Sequence, residues 1–272
     1  MSFDFYWYNF LGPLAKGGCR RSRLGDSESL NPPCQTPLRG DVTSPLWQGG
    51  QEIVTKIIPL WQKVFGDSED FIRSFYELNV DVFTAYDGNK LIGSVNRVSI
   101  TYNGIFGGYI YAACVDENYR GRGIFKRLLA EAERDMPFMM LIPANEELFG
   151  MYRKLCYDRT TYTTFPFECE MIEGEPFDGN YKRLYTAYTT LAENEFIKPF
   201  DFFKLAVSDF EIQYYNGGFI IYRKTGKNTI KIYEMYCKNC YFCDIMNKKP
   251  SGVYKTNINL PQDMKVNLFL EM

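Results

Sequence analysis

The sequence predicts an α/β fold, on three observations. Apolar residues recur at helical spacing from Ile53 to Leu78. Three strands follow between Asp81 and Val115, joined by Asp87-Gly88-Asn89 and Asn103-Gly104 turns. A passage rich in Arg and Gly then leads from the last strand into a helix. The three strands read as an antiparallel meander, because turns as short as these connect antiparallel neighbours.

Residues 1–50 hold Pro13, Pro32, Pro33, Pro37 and Pro45 together with Arg20, Arg21 and Arg23, a composition that does not make regular structure. The segment is read as an irregular N-terminal stretch without an assigned role. Ile53, Val54, Ile57, Ile58, Leu60, Trp61, Val64 and Phe65 form one helix that Gly66 stops, with Pro59 inside it. Asp67 or Ser68 can cap a second helix whose apolar face is Phe71, Ile72, Phe75, Tyr76 and Leu78. The meander strands are Asp81–Tyr86, Leu91–Tyr102 and Gly108–Val115. After them come a helix over Arg120–Arg134, a short buried strand over Phe138–Ile142, a helix over Glu146–Leu155 and a strand over Thr160–Phe167.

The second half repeats this order more weakly. Helices at Tyr181–Asn194 and Phe200–Val207 precede strands at Glu211–Tyr215, Gly218–Arg223 and Thr229–Tyr236, with turns at Asn216-Gly217 and Gly226-Lys227. Asp81-Val-Phe-Thr-Ala-Tyr-Asp-Gly aligns with Glu211-Ile-Gln-Tyr-Tyr-Asn-Gly, so the chain reads as two copies of one unit. Only the first copy carries a glycine loop. The division expected is 1–50, 51–170 and 171–272.

Composition removes several classes of function. The 272 residues are 46% hydrophobic and 24% charged, enough for one large or two smaller domains. A net charge of −2 supplies no long-range positive field for nucleic acid or an anionic membrane, so neither is expected as a partner. The chain has no His, which excludes an imidazole base, His-ligated metals and Ser-His or Cys-His nucleophile pairs. No apolar run approaches the ~20 residues of a membrane-spanning helix. No export signal is read at the N-terminus, and eight Cys are too sparse for a disulfide scaffold, which favours reduced thiols and a cytoplasmic setting. Cys237, Cys240 and Cys243 have thiolate-ligand spacing but no fourth ligand, and are read as packing residues; no metal is expected. Cys114 is read as a core residue, not an acyl carrier. Phe196, Phe200, Phe202, Phe203, Phe210, Tyr214 and Tyr215 could line an acceptor pocket, although core packing explains them more simply.

The stretch that carries chemistry is Tyr109–Leu129. Arg120, Gly121, Arg122, Gly123 and Ile124 lie where a helix begins, so unpaired backbone N–H groups and the positive dipole end face any docked anion. Gly121 and Gly123 lack a Cβ, which lets a phosphate reach the backbone, and the two arginines add charged donors. The same residues also suit a plain strand-to-helix connection.

Val115 followed by Arg120-Gly-Arg-Gly123-Ile-Phe125 resembles the signature of the GNAT superfamily of acyl-CoA-dependent N-acetyltransferases: Arg or Gln, two residues, Gly, one residue, Gly or Ala. Phe125 stands where a small residue is usual. A second stretch, Leu141-Ile-Pro-Ala-Asn145 through Tyr152-Arg-Lys-Leu-Cys156-Tyr, is similar to the family's Asn, six residues, Tyr pattern with a Lys-Leu-Gly-Phe/Tyr ending; Cys156 replaces the glycine. The resemblance covers residues 51–168. Its wording and the extra C-terminal half are most similar to the branch related to enhanced-intracellular-survival acetyltransferases, which join an active GNAT unit to a degenerate one.

The resemblance implies the GNAT fold, a mixed and mostly antiparallel central sheet flanked by helices, with a second, degenerate GNAT-like unit. It implies acetyl-CoA as acyl donor, an amine of a small molecule or peptide as acceptor, and direct attack. Val115, Arg120, Gly121, Arg122, Gly123, Ile124, Phe125 and Asn145 would bind the donor, with Tyr111–Val115 pairing with its pantetheine arm. The Val115 N–H would hold the oxyanion, and Tyr152 would give a proton to the sulfur as a phenol of ordinary pKa, about 10. No base is assigned among Glu77, Asp116, Glu117 and a water chain. An acyl-CoA sensor without turnover and transfer of a longer acyl or an aminoacyl group are the competing readings. Oligomeric state, homo-oligomer included, is left open.

Overall fold

In the computed structural model, residues 50–237 and 248–267 are described. Helix α1 (Gly50–Phe65) buries Val54, Ile57, Ile58, Leu60 and Trp61 on one face, while Pro59 lies within it on the exposed side. Gly66 adopts φ 77° and donates its N–H to the Gln62 carbonyl, the left-handed stop that a glycine takes without steric cost. Ser68 caps α2 (Glu69–Tyr76) by accepting from the Phe71 N–H, and Ile72 and Phe75 are buried.

The meander follows as β1 (Val80–Asp87), β2 (Lys90–Tyr102) and β3 (Ile105–Val115). Asn103 and Gly104 both take positive φ, as a type I′ hairpin turn demands. Then come α3 (Ile124–Ala132), β4 (Phe138–Leu141), α4 (Glu146–Lys154) and β5 (Arg159–Thr164). Near the end of the described chain, β11 (Lys248–Thr256) pairs antiparallel with both β4 and β5. The first sheet therefore has the order β1-β2-β3-β4-β11-β5, mixed because β3 and β4 run parallel. Helix α3 packs on β1. Arg97 fastens the two, pairing with Asp81 at 2.6 Å and donating to the Ala132 carbonyl at 2.7 Å, where a cation also meets the negative end of the helix dipole.

Two elements start or stop elsewhere than the sequence pattern suggests. The strand expected over Thr160–Phe167 breaks after Thr164, because Pro166 has no N–H for a ladder; the chain resumes as β6 (Phe167–Glu170) in a second sheet. The helix expected from Arg120 begins only at Ile124, because Arg120 is extended and Gly121 and Gly123 are left-handed.

The second sheet joins β6 to β7 (Glu175–Pro176), β8 (Glu211–Tyr215), β9 (Gly218–Lys224) and β10 (Thr229–Tyr236) in the antiparallel order β6-β10-β9-β8-β7. Two helices precede its meander, α5 (Tyr181–Leu191) and α6 (Phe200–Val207), as two helices precede the first. Leu184, Tyr188, Phe203, Val207, Ile212, Tyr214, Phe219, Ile221 and Tyr236 form its core. Phe196 and Phe202 are buried as well, so much of the aromatic set considered for a pocket is spent on packing. Among the described residues the chain divides into two compact units, 50–97 with Tyr111–Arg134, and Val98–Ile110 with 135–237 and 248–267. Among the described residues no helix is long and apolar enough to cross a membrane.

Candidate functional site

Strand β3 outruns its parallel neighbour: β4 ends at Leu141, which is paired with Ile110, while β3 continues to Val115. The direction of the last peptide groups follows from one hydrogen bond. The Asp116 N–H donates to the Ile92 carbonyl of β2 at 2.9 Å. Successive residues of a strand point their N–H and C=O groups to opposite edges, so those of Val115 face away from β2. Arg120 confirms that edge, its Nε donating to the Val115 carbonyl at 3.2 Å.

The connection beyond Val115 is a turn of 3-10 helix at Glu117–Tyr119, then Arg120, Gly121, Arg122 and Gly123, which precedes α3. Gly121 and Gly123 have φ 76° and 75°, and a Cβ built on either would meet no atom within 4 Å. Gly123 offers no side-chain cap, and the first helical bond joins the Arg127 N–H to the Gly123 carbonyl. Ile124 is buried and seats the helix, and Phe125 beside it is half-buried. Arg122 lies 5.0 Å from the centre of the Tyr119 ring and Lys90 4.9 Å from it, and the Tyr119 hydroxyl donates to Asp87. Loop, glycines and cations thus sit at one end of β3.

Two of the carboxylates considered as bases are engaged. Asp116 pairs with Lys90 at 2.8 Å and accepts from the Asn118 N–H, and its pKa is lowered, chiefly by the Lys90 bond. Glu117 pairs with Lys63 at 2.6 Å and is lowered by it. Both are weaker bases than an ordinary carboxylate. Glu77 is an exposed residue at the end of α2. Cys114 is buried 3.4 Å from the Ser94 hydroxyl, and burial pushes its thiol up to about 11, which suits a packing role.

In the other unit, Asn145 caps α4: its Oδ1 accepts from the Leu148 N–H at 3.0 Å. Tyr152 is buried near the end of that helix, edge-on to Tyr157, with ring centroids 5.9 Å apart. Burial raises its pKa well above the ordinary tyrosine value that the sequence reading assumed. Cys156, in the place of the motif's glycine, has φ 69°, the left-handed geometry for which glycine is favoured. Cys237 is half-buried, while Cys240 and Cys243 lie outside the described residues. Sequence reasoning missed Asn96 and Tyr76, whose side chains meet beside β3. The signal was present: Asn96 is the lone amide of its strand.

Comparison with known proteins agrees with this geometry. The model of the family described as Acetyltransferase (GNAT) family matches residues 51–156. Among solved structures the chain is similar to a GCN5-related N-acetyltransferase from Kribbella flavida, at TM-score 0.56 and 12% identity, covering 79% of this chain and 72% of that one. It is also similar to Eis1 from Mycobacterium abscessus, at TM-score 0.55 and 11% identity over 79% and 73% of the two chains. A third is a probable N-acyltransferase of Enterococcus faecalis V583, at TM-score 0.53 and 11% identity over 79% and 72%. At these identities the likeness is one of fold. No curated protein matches the chain. Residues 51–156 thus match the model of the GNAT acetyltransferase family, and the α/β scaffold is similar to those of Eis1 and the GCN5-related N-acetyltransferase.

Proposed function

We propose that the protein transfers an acetyl group from acetyl-CoA to an amine of a small molecule or peptide by direct attack. The observation that carries this reading is the Val115 N–H, aimed away from β2 at the strand end that leads into the left-handed glycines of the Arg120–Gly123 loop.

In this reading the loop amides, Arg120 and Arg122 hold the donor's diphosphate. Ile124 and Phe125 shape the start of α3, and the edge of Tyr111–Val115 that faces away from β2 pairs with the pantetheine arm. A neutral amine attacks the thioester carbonyl, and a C–N bond forms as the carbonyl becomes an oxyanion that the Val115 N–H stabilises. Collapse breaks the C–S bond. Tyr152 gives its proton to the departing sulfur and recovers one from solvent, to which the new ammonium loses its own. Burial keeps Tyr152 protonated at neutral pH and disfavours a lasting phenolate, so donation and recovery belong to one turnover. Asn145 acts through the α4 start that it caps. With Asp116 and Glu117 tied to lysines, no carboxylate of the loop serves as base, and acceptors already partly neutral are favoured. Residues 171–272 are assigned to acceptor selection.

Release of free CoA from acetyl-CoA, followed across an amine panel, tests this reading. Turnover is expected, reduced about tenfold or more by Tyr152→Phe if general-acid help is lost. Bound acetyl-CoA with no thiol release from any amine would instead favour an acyl-CoA sensor, a reading that the ion-paired carboxylates motivate. Mass spectrometry of the product separates acetyl transfer from transfer of a longer acyl or aminoacyl group.

A further inference from the structure

The backbone of β3 is broken at an alanine. Ala112 is fully buried in mid-strand and has φ 48°, a left-handed conformation that a residue with a Cβ rarely adopts. A single left-handed residue within a strand is the mark of a bulge, which adds one residue to the strand and leaves carbonyls out of the ladder. Asn96 of β2 answers for them. Its Nδ2 donates to the Tyr111 carbonyl at 3.2 Å and to the Ala112 carbonyl at 3.4 Å, and its Oδ1 accepts from the Tyr76 hydroxyl at 2.8 Å. Asn96 is wholly buried. Its amide orientation is dictated, because the reverse would set Oδ1 against two carbonyls.

Tyr76 is itself held. Its ring lies edge-on to Trp61 at 5.7 Å and to Phe75 at 5.5 Å, and both of those rings also touch Tyr111, at 5.8 and 4.9 Å. Trp61 in turn donates to Asp67 at 2.6 Å. The helix pair α1–α2 therefore reaches the bulge through one hydroxyl and one amide.

The consequence lies three residues downstream. Since strand peptide groups alternate between edges, one inserted residue reverses which edge every later N–H faces. Without the bulge the Val115 N–H would turn toward β2, and the Asp116 bond to Ile92 would be lost. We propose that Asn96 and Tyr76 are positioning residues that lock the bulge at Ala112 and so set the direction of the Val115 N–H. This rests on the acyl-transfer reading above.

The test uses Asn96→Ala and the gentler Tyr76→Phe, with Asn96→Ala also combined with Ala112→Gly, a residue that takes positive φ without strain. Two readouts are needed: kcat and the KM for acetyl-CoA, and hydrogen exchange of the Tyr111–Val115 amides. Loss of both amide donors in Asn96→Ala should lower kcat about tenfold with the KM changed less than about twofold, since the oxyanion contact exists only in the transition state. Exchange over Tyr111–Val115 should quicken, Tyr76→Phe should do the same to a smaller degree, and Ala112→Gly should restore part of kcat to Asn96→Ala. Unaltered kcat in folded Asn96→Ala, or no restoration by Ala112→Gly, overturns the assignment. Should wild-type protein turn over no amine, the acyl-transfer reading fails; unchanged exchange at Tyr111–Val115 in Asn96→Ala separately overturns the lock.

Discussion

Replacing Gly121 or Gly123 by alanine separates a glycine needed for its backbone from a glycine needed for a ligand. Gly88, Gly121 and Gly123 have φ 57°, 76° and 75°, and a Cβ on any of them would meet nothing within 4 Å. The added methyl therefore clashes with no atom of the protein, and only the backbone term remains. Left-handed geometry costs an L-residue about 1–2 kcal/mol, offset by about 0.4–1 kcal/mol because alanine restricts the unfolded chain. Each substitution should then lower stability by about 1 kcal/mol, or about 2–4 °C in Tm for a domain of this size. The three should be alike in urea or thermal unfolding. They should differ in CoA affinity. At Gly121 and Gly123 the methyl enters the space through which phosphate oxygens must approach the amides, and a weakening of about tenfold or more is expected by calorimetry, equivalent to about 1.4 kcal/mol. Gly88→Ala, in the β1–β2 turn, should leave affinity unchanged. Equal CoA affinity across all three variants would refute the reasoning that the loop is shaped for an anion.

Two further outcomes concern the charges. Lys198 and Glu195 are fully buried 3.2 Å apart, with the Tyr188 and Tyr236 hydroxyls bonded to the pair. Lys198→Met strands the carboxylate and should cost about 3–5 kcal/mol by urea denaturation, much of it recovered by adding Glu195→Gln; a loss under about 1 kcal/mol would contradict this. Asp116 has its pKa lowered, chiefly by Lys90, so its contribution is complete above the unfolded value of about 3.9 and fades as pH falls through the folded one. Lys90→Met should therefore be less stable than wild type at pH 7, with the gap narrowing once pH falls below the unfolded value and through the lowered folded pKa of Asp116. A gap independent of pH would contradict it.

What the sequence made legible was local. Gly66, Ser68, Asp87-Gly88 and Asn103-Gly104 announce where elements end, because their conformations are properties of those residues themselves. The glycine loop was legible for the same reason. What escaped was decided by tertiary partners. Lys248–Thr256 contains Pro250 and Gly252 and carries no strand signal, yet it pairs with β4 and β5, with a shift of register between those two residues. The bulge at Ala112 has no glycine to mark it; it persists because Asn96, distant in sequence, satisfies its carbonyls. At Asn145, which the resemblance offers for donor binding, the Oδ1 caps α4. Cys156 read as a lapse from the motif, yet it keeps the left-handed backbone that the motif's glycine would supply.

The proposed activity requires the amides and arginines after Val115 to grip the diphosphate of an acyl-CoA. Isothermal titration of acetyl-CoA and of CoA into the full chain, its folding checked by circular dichroism, measures that grip. Saturable binding of one molecule per chain is expected, weakened by Gly123→Ala and by added salt. Absence of heat with both ligands on folded protein would contradict it.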